Sequence, residues 1–269
     1  MRSCLALLGA MICPAVALAL SPQDKLTQYG RQTWQTENGL PQNTVRAILQ
    51  DYQGYLWLGT EGGLARFDGL KFTVFNAENT AALKNNNILS LLEDKAGTLW
   101  IGTAEGLASL HNTNFQSYTI EDGLPANRIW SLTLDRAGVL WATTPEGAAS
   151  FHNNYFVRGV APPQTQTVQD SLSRLSKNSG HSLPSSQITV LYPDREGSLW
   201  VGTNTGAARI TNGIVERFPP NDPLSHDAIL SIYEDHEGNM WFGSDSGGLT
   251  ILRDQSFTTY TGREGALGN

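Results

Sequence analysis

The sequence predicts an all-β fold, a β-propeller of four-stranded antiparallel blades, on three observations. The stretch Asp51-Tyr-Gln-Gly54-Tyr-Leu56-Trp57-Leu-Gly59-Thr60 returns as Asp94-Lys-Ala-Gly97-Thr-Leu99-Trp100-Ile-Gly102-Thr103, and again around Asp135, Asp194 and Asp235. Five of the seven tryptophans (Trp57, Trp100, Trp141, Trp200 and Trp241) occupy one place in that repeat, separated by 43, 41, 59 and 41 residues. Each copy is flanked by short β-rich runs bounded by Gly, Asn and Asp, the pattern of strands and hairpins. A period of this size with one Trp and several strand signals is how propeller blades read.

The first twenty residues stand outside the repeat. Met1-Arg2-Ser3 is a basic start, Cys4 to Leu20 is apolar, and Ala17-Leu18-Ala19 offers small residues before Ser21-Pro22. This layout predicts a signal peptide over 1–20, cleaved near Ala19, with an uncleaved anchor as the alternative. Ile12 before Cys13 and Ser3 before Cys4 disfavour lipid attachment. Both cysteines lie in that segment, so the mature chain, residues 21–269, has none. A periplasmic domain without disulfides must hold together by burial and strand pairing. Only 16% of residues are charged and the balance is −7, a field for which nucleic acid and anionic lipid surfaces are poor partners. No second apolar run follows, so no membrane span is expected after the signal peptide.

Within each copy a turn-former (Asn43, Asn86, Asn127, Ser186 or Asp227) leads into an inner strand such as Val45–Gln50, Ile88–Glu93 or Ile229–Glu234. A small residue at its centre (Ala47, Ser90, Ser131, Ser231; Val190 in one copy) is expected to face the crowded axis. Asp51, Asp94, Asp135, Asp194 and Asp235 open Asp-x-x-Gly hairpins, where Asp bonds to turn amides and Gly supplies a positive φ. The recurring Trp on the second strand is expected between neighbouring sheets, burying well over ~100 Å² per ring. Thr143 breaks the pattern where the other copies have Gly. Gly63, Gly106, Gly147, Gly206 and Gly247 mark the next turn. A third strand follows, then a turn at Asp68-Gly69, His111-Asn112, His152-Asn153 or Asn212-Gly213. The outer strand ends in an aromatic: Phe75, Tyr118, Phe218 and Tyr260, with Phe156 close to register.

Gly39-Leu-Pro41 and Gly123-Leu-Pro125 join outer to inner strands, with Leu183-Pro184 and Pro223-Leu224 as altered forms. An outer-strand fragment around Trp34 precedes the first complete blade. Gly265-Ala-Leu-Gly-Asn269 is another join, with Asn269 at the position of Asn43 and Asn127. The expectation is therefore an incomplete ring, the front part of a longer protein. The long interval before Trp200 predicts an inserted loop at about 157–186, with a short helix over Val168–Leu175.

The pattern Asp-x-x-Gly-x-Leu-Trp-x-Gly-Thr-x-x-Gly-Leu, introduced by Gly-Leu-Pro-x-Asn, resembles the two-component regulator propeller repeat over residues 29 to 269. The resemblance implies the secreted or periplasmic sensor half of a bacterial hybrid histidine kinase or diguanylate cyclase. It also implies a signalling output domain or protein partner beyond this chain, and glycan sensing by analogy.

On the channel face, expectation places Asn43, Asn86, Asn127, Ser186 and Asp227 beside Glu61, Glu105, Glu146, Asn204 and Asp245 from the middle hairpins. Such amides and carboxylates suit sugar hydroxyls or another small polar ligand; as plain turn-formers and solvated acids they need no ligand. No cofactor, metal or catalytic constellation is indicated. His111 and His152 sit at outer hairpin tips, His181 in the insertion, and His226 and His236 at opposite ends of one strand. The function expected is a non-catalytic ligand-sensing input module. The alternatives are a propeller enzyme (a lyase or glycan hydrolase using His226 or acids at the mouth) and an interaction scaffold.

Overall fold

The computed structural model describes residues 20–159 and 183–254. The predicted signal peptide, the helix over Val168–Leu175, His181 and Tyr260 lie outside these residues. Twenty strands form five four-stranded antiparallel sheets. Blade 1 is β2 (Val45–Gln50), β3 (Leu56–Thr60), β4 (Gly63–Phe67) and β5 (Phe72–Phe75). Blade 2 is β6 (Ile88–Glu93), β7 (Leu99–Thr103), β8 (Gly106–His111) and β9 (Asn114–Tyr118). Blade 3 is β10 (Ser131–Leu134), β11 (Leu140–Thr144), β12 (Gly147–His152) and β13 (Tyr155–Gly159). Blade 4 is β14 (Ile188–Pro193), β15 (Leu199–Thr203), β16 (Gly206–Thr211) and β17 (Ile214–Arg217). Blade 5 is β18 (Ile229–Glu234), β19 (Met240–Ser244) and β20 (Leu249–Arg253), completed by the N-terminal β1 (Gly30–Trp34).

Blade 5 corrects one expectation. The sequence places its outer strand on the residues ending at Tyr260, but β1 holds that place, with Trp34 opposite Leu249 and Gly30 opposite Arg253. One sheet thus unites the N-terminal strand with β20. The inner strands adjoin in the order β14, β18, β2, β6, β10, and among the described residues the ring is open between blades 3 and 4. The predicted incompleteness is present, but at the inserted loop. β13 runs to Gly159, just inside the bounds given for that loop, and Leu183 is buried like its repeat counterparts Leu40, Leu83, Leu124 and Leu224.

Each Asp has two duties. One carboxylate oxygen accepts turn amides, as Asp51 Oδ1 does from Gln53 (3.0 Å) and Tyr55 (2.9 Å). The other accepts the indole N–H two residues past the hairpin, at 2.7, 2.8, 3.2, 2.8 and 2.7 Å for Trp57, Trp100, Trp141, Trp200 and Trp241. The turn therefore fixes the ring that packs on the next blade. Trp57 joins Leu99, Ile101, Ala108 and Leu110 of blade 2. Trp100 joins Leu140, Ala142 and Ala149 of blade 3. Trp200 meets Phe242 of blade 5 edge-on at 5.4 Å, and Trp241 packs with Leu56, Leu58 and Phe67 of blade 1. Trp141 departs from this: it is half-buried, over Gly159 of its own outer strand, and belongs to none of these clusters.

The Gly after Trp is a second lock. A Cβ on Gly59 would stand 2.8 Å from Ile88 of the next blade; Gly102, Gly202 and Gly243 receive Ile129, Ile229 and Val45 in the same way. The small central residue faces this contact rather than the axis: Ala47 lies 3.2 Å from the missing Cβ of Gly59. The last residue of three inner strands is a third lock. Gln50 accepts the His236 amide (2.7 Å), Glu93 that of Tyr52 (3.1 Å) and Glu234 that of Arg195 (3.0 Å), each from the preceding blade. Leu134 and Pro193 stand at this place in blades 3 and 4 and offer no side-chain acceptor.

Truncating Trp57 to Ala should cost about 3–5 kcal/mol, as for a large buried aromatic. Trp141→Ala should cost less than half of that, and urea unfolding of both variants checks the difference. Burial pushes the Glu234 carboxyl above its ordinary value, partly offset by the Arg195 N–H and guanidinium. A raised folded value means that its contribution is full below the ordinary Glu range and is lost as pH rises through the folded value. Glu234→Gln keeps the acceptor and removes the charge, so it should raise Tm at neutral pH. The gain should close below about pH 4, near the ordinary Glu value, in thermal melts across pH.

Candidate functional site at the central channel

Four inner strands skip one residue in their pairing: between Val45 and Ala47, Ile88 and Ser90, Ile188 and Val190, and Ile229 and Ser231. The residue left over (Arg46, Leu89, Thr189 or Leu230) bulges out of the ladder, a device that re-aims a side chain. Trp130, just before β10, holds the same repeat position. Those five residues and Arg128 line one cavity of about 350 Å³ at the axis. The flanking positions explain the bulge. Before it, Val45, Ile88, Ile129 and Ile229 fill the glycine notch of the preceding blade; after it, a small residue fits the blade's own glycine.

The channel is chemically lopsided. Arg46 pairs with Glu61, while its Nε is buried without a hydrogen-bond partner. Trp130 is 57% exposed, the largest apolar side chain open to solvent among the described residues. Arg128 beside it is exposed as well. Leu89, Leu230 and Thr189 form the remaining wall, and the Thr189 hydroxyl donates to the Ile229 carbonyl.

The residues named from sequence for this face have mostly local partners. Asn43, Asn86 and Asn127 use Oδ1 alike, accepting the backbone N–H of Thr36 (2.9 Å), Ala77 (2.7 Å) and Ile120 (3.0 Å) to brace the connection from the preceding outer strand. Asp227 accepts Ser246 (2.9 Å) and Gly247 (2.6 Å) amides, tying the start of blade 5 to its middle hairpin. Asn204 donates to Gln187 at 2.7 Å. Glu61, Asn204 and Asp245 follow directly on the turn Thr or Ser, whereas Glu105 and Glu146 stand one place further, so they do not form one register ring. All five are exposed. In four blades the hydroxyl before the turn closes it, as Thr60 does to the Gly63 carbonyl at 2.7 Å; in blade 5 Ser244 reaches Gly248, one residue beyond the expected Gly247.

Sequence reading missed the channel residues themselves. The signal for them was present: Arg46, Leu89, Trp130, Thr189 and Leu230 vary freely between flanks that hardly vary. Trp130 is also one of two tryptophans outside the repeat position. His226 is exposed, and among the described residues its ring hydrogen-bonds only the adjacent Ser225 hydroxyl (2.8 Å). His111 and His152 lie at the ends of β8 and β12. Among the described residues no three His, Cys, Asp or Glu side chains converge as metal ligands, and no helix is long and apolar enough to cross a membrane.

Burial alone would raise the Asp227 carboxyl, but the Ser246 and Gly247 amides and the Ser244 hydroxyl outweigh it and hold it below its ordinary value. A depressed value stabilises the fold above the ordinary Asp range, and that stabilisation fades as pH falls through the folded value. Asp227→Asn should therefore lower Tm at pH 7, with the gap to wild type closing in acid.

The two component regulator propeller family matches residues 39–62, 82–105, 123–146, 182–205 and 223–246. A comparison with curated proteins returns no match. Among solved structures, one described as the extracellular domain of a hybrid two component system, BT3049 from B. thetaiotaomicron, is 21% identical with a TM-score of 0.61. The alignment covers 83% of this chain and 42% of that one, so this chain spans less than half the length of that extracellular domain. A Bacteroides thetaiotaomicron structural genomics protein of unknown function is 9% identical with a TM-score of 0.54, covering 84% and 76%. At these identities the likeness is one of fold. A virginiamycin B lyase from Staphylococcus aureus stands lower, at 15% identity and a TM-score of 0.42 over 86% and 75%, too distant to bear on chemistry. Five repeats in one register, each building one blade, place this chain in the two component regulator propeller family.

Proposed function

We propose that this chain is the exported input module of a two-component or cyclic-di-GMP signalling receptor. It takes a small polar ligand or glycan bearing an acidic group at the channel. Contact there biases a partner domain that carries the output. The observation behind this reading is the bulged ring at the axis, where an orphaned Arg46 Nε and the exposed Arg128 flank a bare indole. An aromatic face with converging cations suits a sugar ring that carries a carboxylate, stacking one side and pairing the other. The family supports the receptor role, since the BT3049 domain is described as part of a hybrid two component system. The channel-face amides Asn43, Asn86 and Asn127 serve this reading by holding the rim rather than by touching ligand, while Glu61 orients Arg46.

Calorimetric titration with acidic oligosaccharides and their neutral counterparts tests it. Saturable binding of the acidic series is expected. Trp130→Ala and Arg46→Ala should each weaken it at least tenfold, about 1.4 kcal/mol. Leu70→Ser, at a hairpin tip that is 93% exposed, should leave binding unchanged. Equal heats from acidic and neutral sugars, or affinity untouched by both channel variants, would count against this reading.

A further inference from the structure

The repeat places equivalent grooves at the rim between successive blades, and one of them is already filled. On blade 4, Trp200 and Phe218 join Met240 and Leu252 of blade 5, the N-terminal residues Leu20, Leu26 and Tyr29 complete that core, and Arg209 lies over the Trp200 and Tyr29 rings. Arg209 is the polar anchor. Its guanidinium donates to the Ser21 carbonyl (3.2 Å), the Tyr29 hydroxyl (3.1 Å) and the Asp24 carbonyl, and it pairs with Glu216 at 2.7 Å.

Blade 1 carries the same stripe. Arg66 stands across from Trp57 as Arg209 stands across from Trp200, and Leu110 from Leu99 as Leu252 from Met240. Here no described segment lies over the stripe, and a cavity of about 180 Å³ remains between blades 1 and 2. Arg66 rests on the Tyr55 and Trp57 rings at 4.5 and 5.8 Å. It has no hydrogen bond or ion pair among the described residues, and Thr73 stands opposite where Arg209 has Glu216. Tyr55 replaces the small Ser198 of blade 4, so this groove is narrower. Trp57, Phe75, Leu99, Leu110 and Phe115 line its apolar side, a surface that suits one aromatic side chain.

We propose that the groove between blades 1 and 2 binds a short turn-containing polypeptide segment, of the kind residues 20–29 form over blade 4, through one aromatic side chain. Arg66 bonds the segment's main-chain carbonyls and an acidic group, as Arg209 does with residues 20–29 and Glu216. The nearby carboxylates do not oppose this. Asp51 is engaged by the Trp57 indole and turn amides, and Glu93 accepts the Tyr52 amide. Their counterparts Asp194 and Glu234 make the same bonds beside the filled groove.

The probe is a free peptide with the sequence of residues 20–29, added to the isotope-labelled full chain and followed by the Trp57 indole N–H resonance. Saturable movement of that signal is expected. Arg66→Ala should weaken binding at least tenfold, and so should replacing the peptide's tyrosine by alanine. Thr113→Trp, at the exposed rim, should block the groove while leaving the fold's spectrum intact. Binding indifferent to Arg66→Ala and Thr113→Trp, shifts confined to the Trp200 indole, or no saturable shift at all would each overturn the proposal.

Discussion

The bond from an Asp carboxylate to an indole N–H is the constraint on which this structure depends. A hairpin alone sets only two strands, and a buried Trp alone would leave a polar N–H without a partner. Joined, they make the first turn of each blade the device that orients its contact with the next. Asp51, Asp94, Asp135, Asp194 and Asp235 all serve this way, at 2.7 to 3.2 Å. Four of the five rings then bury fully between sheets. At roughly 25 cal/mol per Å² of apolar surface, each such ring contributes several kcal/mol as an upper estimate. That is the scale of stabilisation a disulfide would otherwise supply.

The same locks explain where the ring opens. A close approach of sheets requires the next blade's leading aliphatic side chain to enter the space of a missing Cβ. Thr143 fills that space in blade 3 with its own side chain, and Pro193 removes the acceptor that Gln50, Glu93 and Glu234 use elsewhere. The seam between blades 2 and 3 also lacks the acceptor, at Leu134, yet keeps the notch in which Gly102 receives Ile129. Thr143 and Pro193 together remove two of the three ties at one seam, and there Trp141 stays half-buried. The opening is thus encoded by side chains on both of its flanks.

Much of the fold was legible because repeated residues repeat for a physical reason, and alignment of the copies exposes that reason. Strand positions, hairpins and the Trp wedges followed directly. The destination of β1 was not legible, since a strand completing a distant sheet is a non-local pairing that no local pattern encodes. The axis was misjudged too. Small residues such as Ala47 are small because of a glycine contact within their own blade, and the bulge turns Arg46 toward the channel instead. The Asn residues at the strand starts recur because they brace a loop. Recurrence therefore marked structure, and the channel residues escaped notice because they do not recur.

That asymmetry has a consequence for where binding chemistry can reside in a repeat fold. A position held constant across blades is committed to holding blades together, as the paired Asp and Trp of every blade are. A position free of that duty can differ in every blade at little cost to the fold. Arg46, Trp130 and Thr189 differ at one such place on the axis, and Arg66, Ser109, Ser150 and Arg209 differ at another on the rim. At the rim the protein demonstrates the use of its own variation, because Arg209 has captured a stretch of polypeptide through carbonyls and a phenol. Arg66 has the same reach and the equivalent tryptophan beneath it, and no described residue fills its grasp.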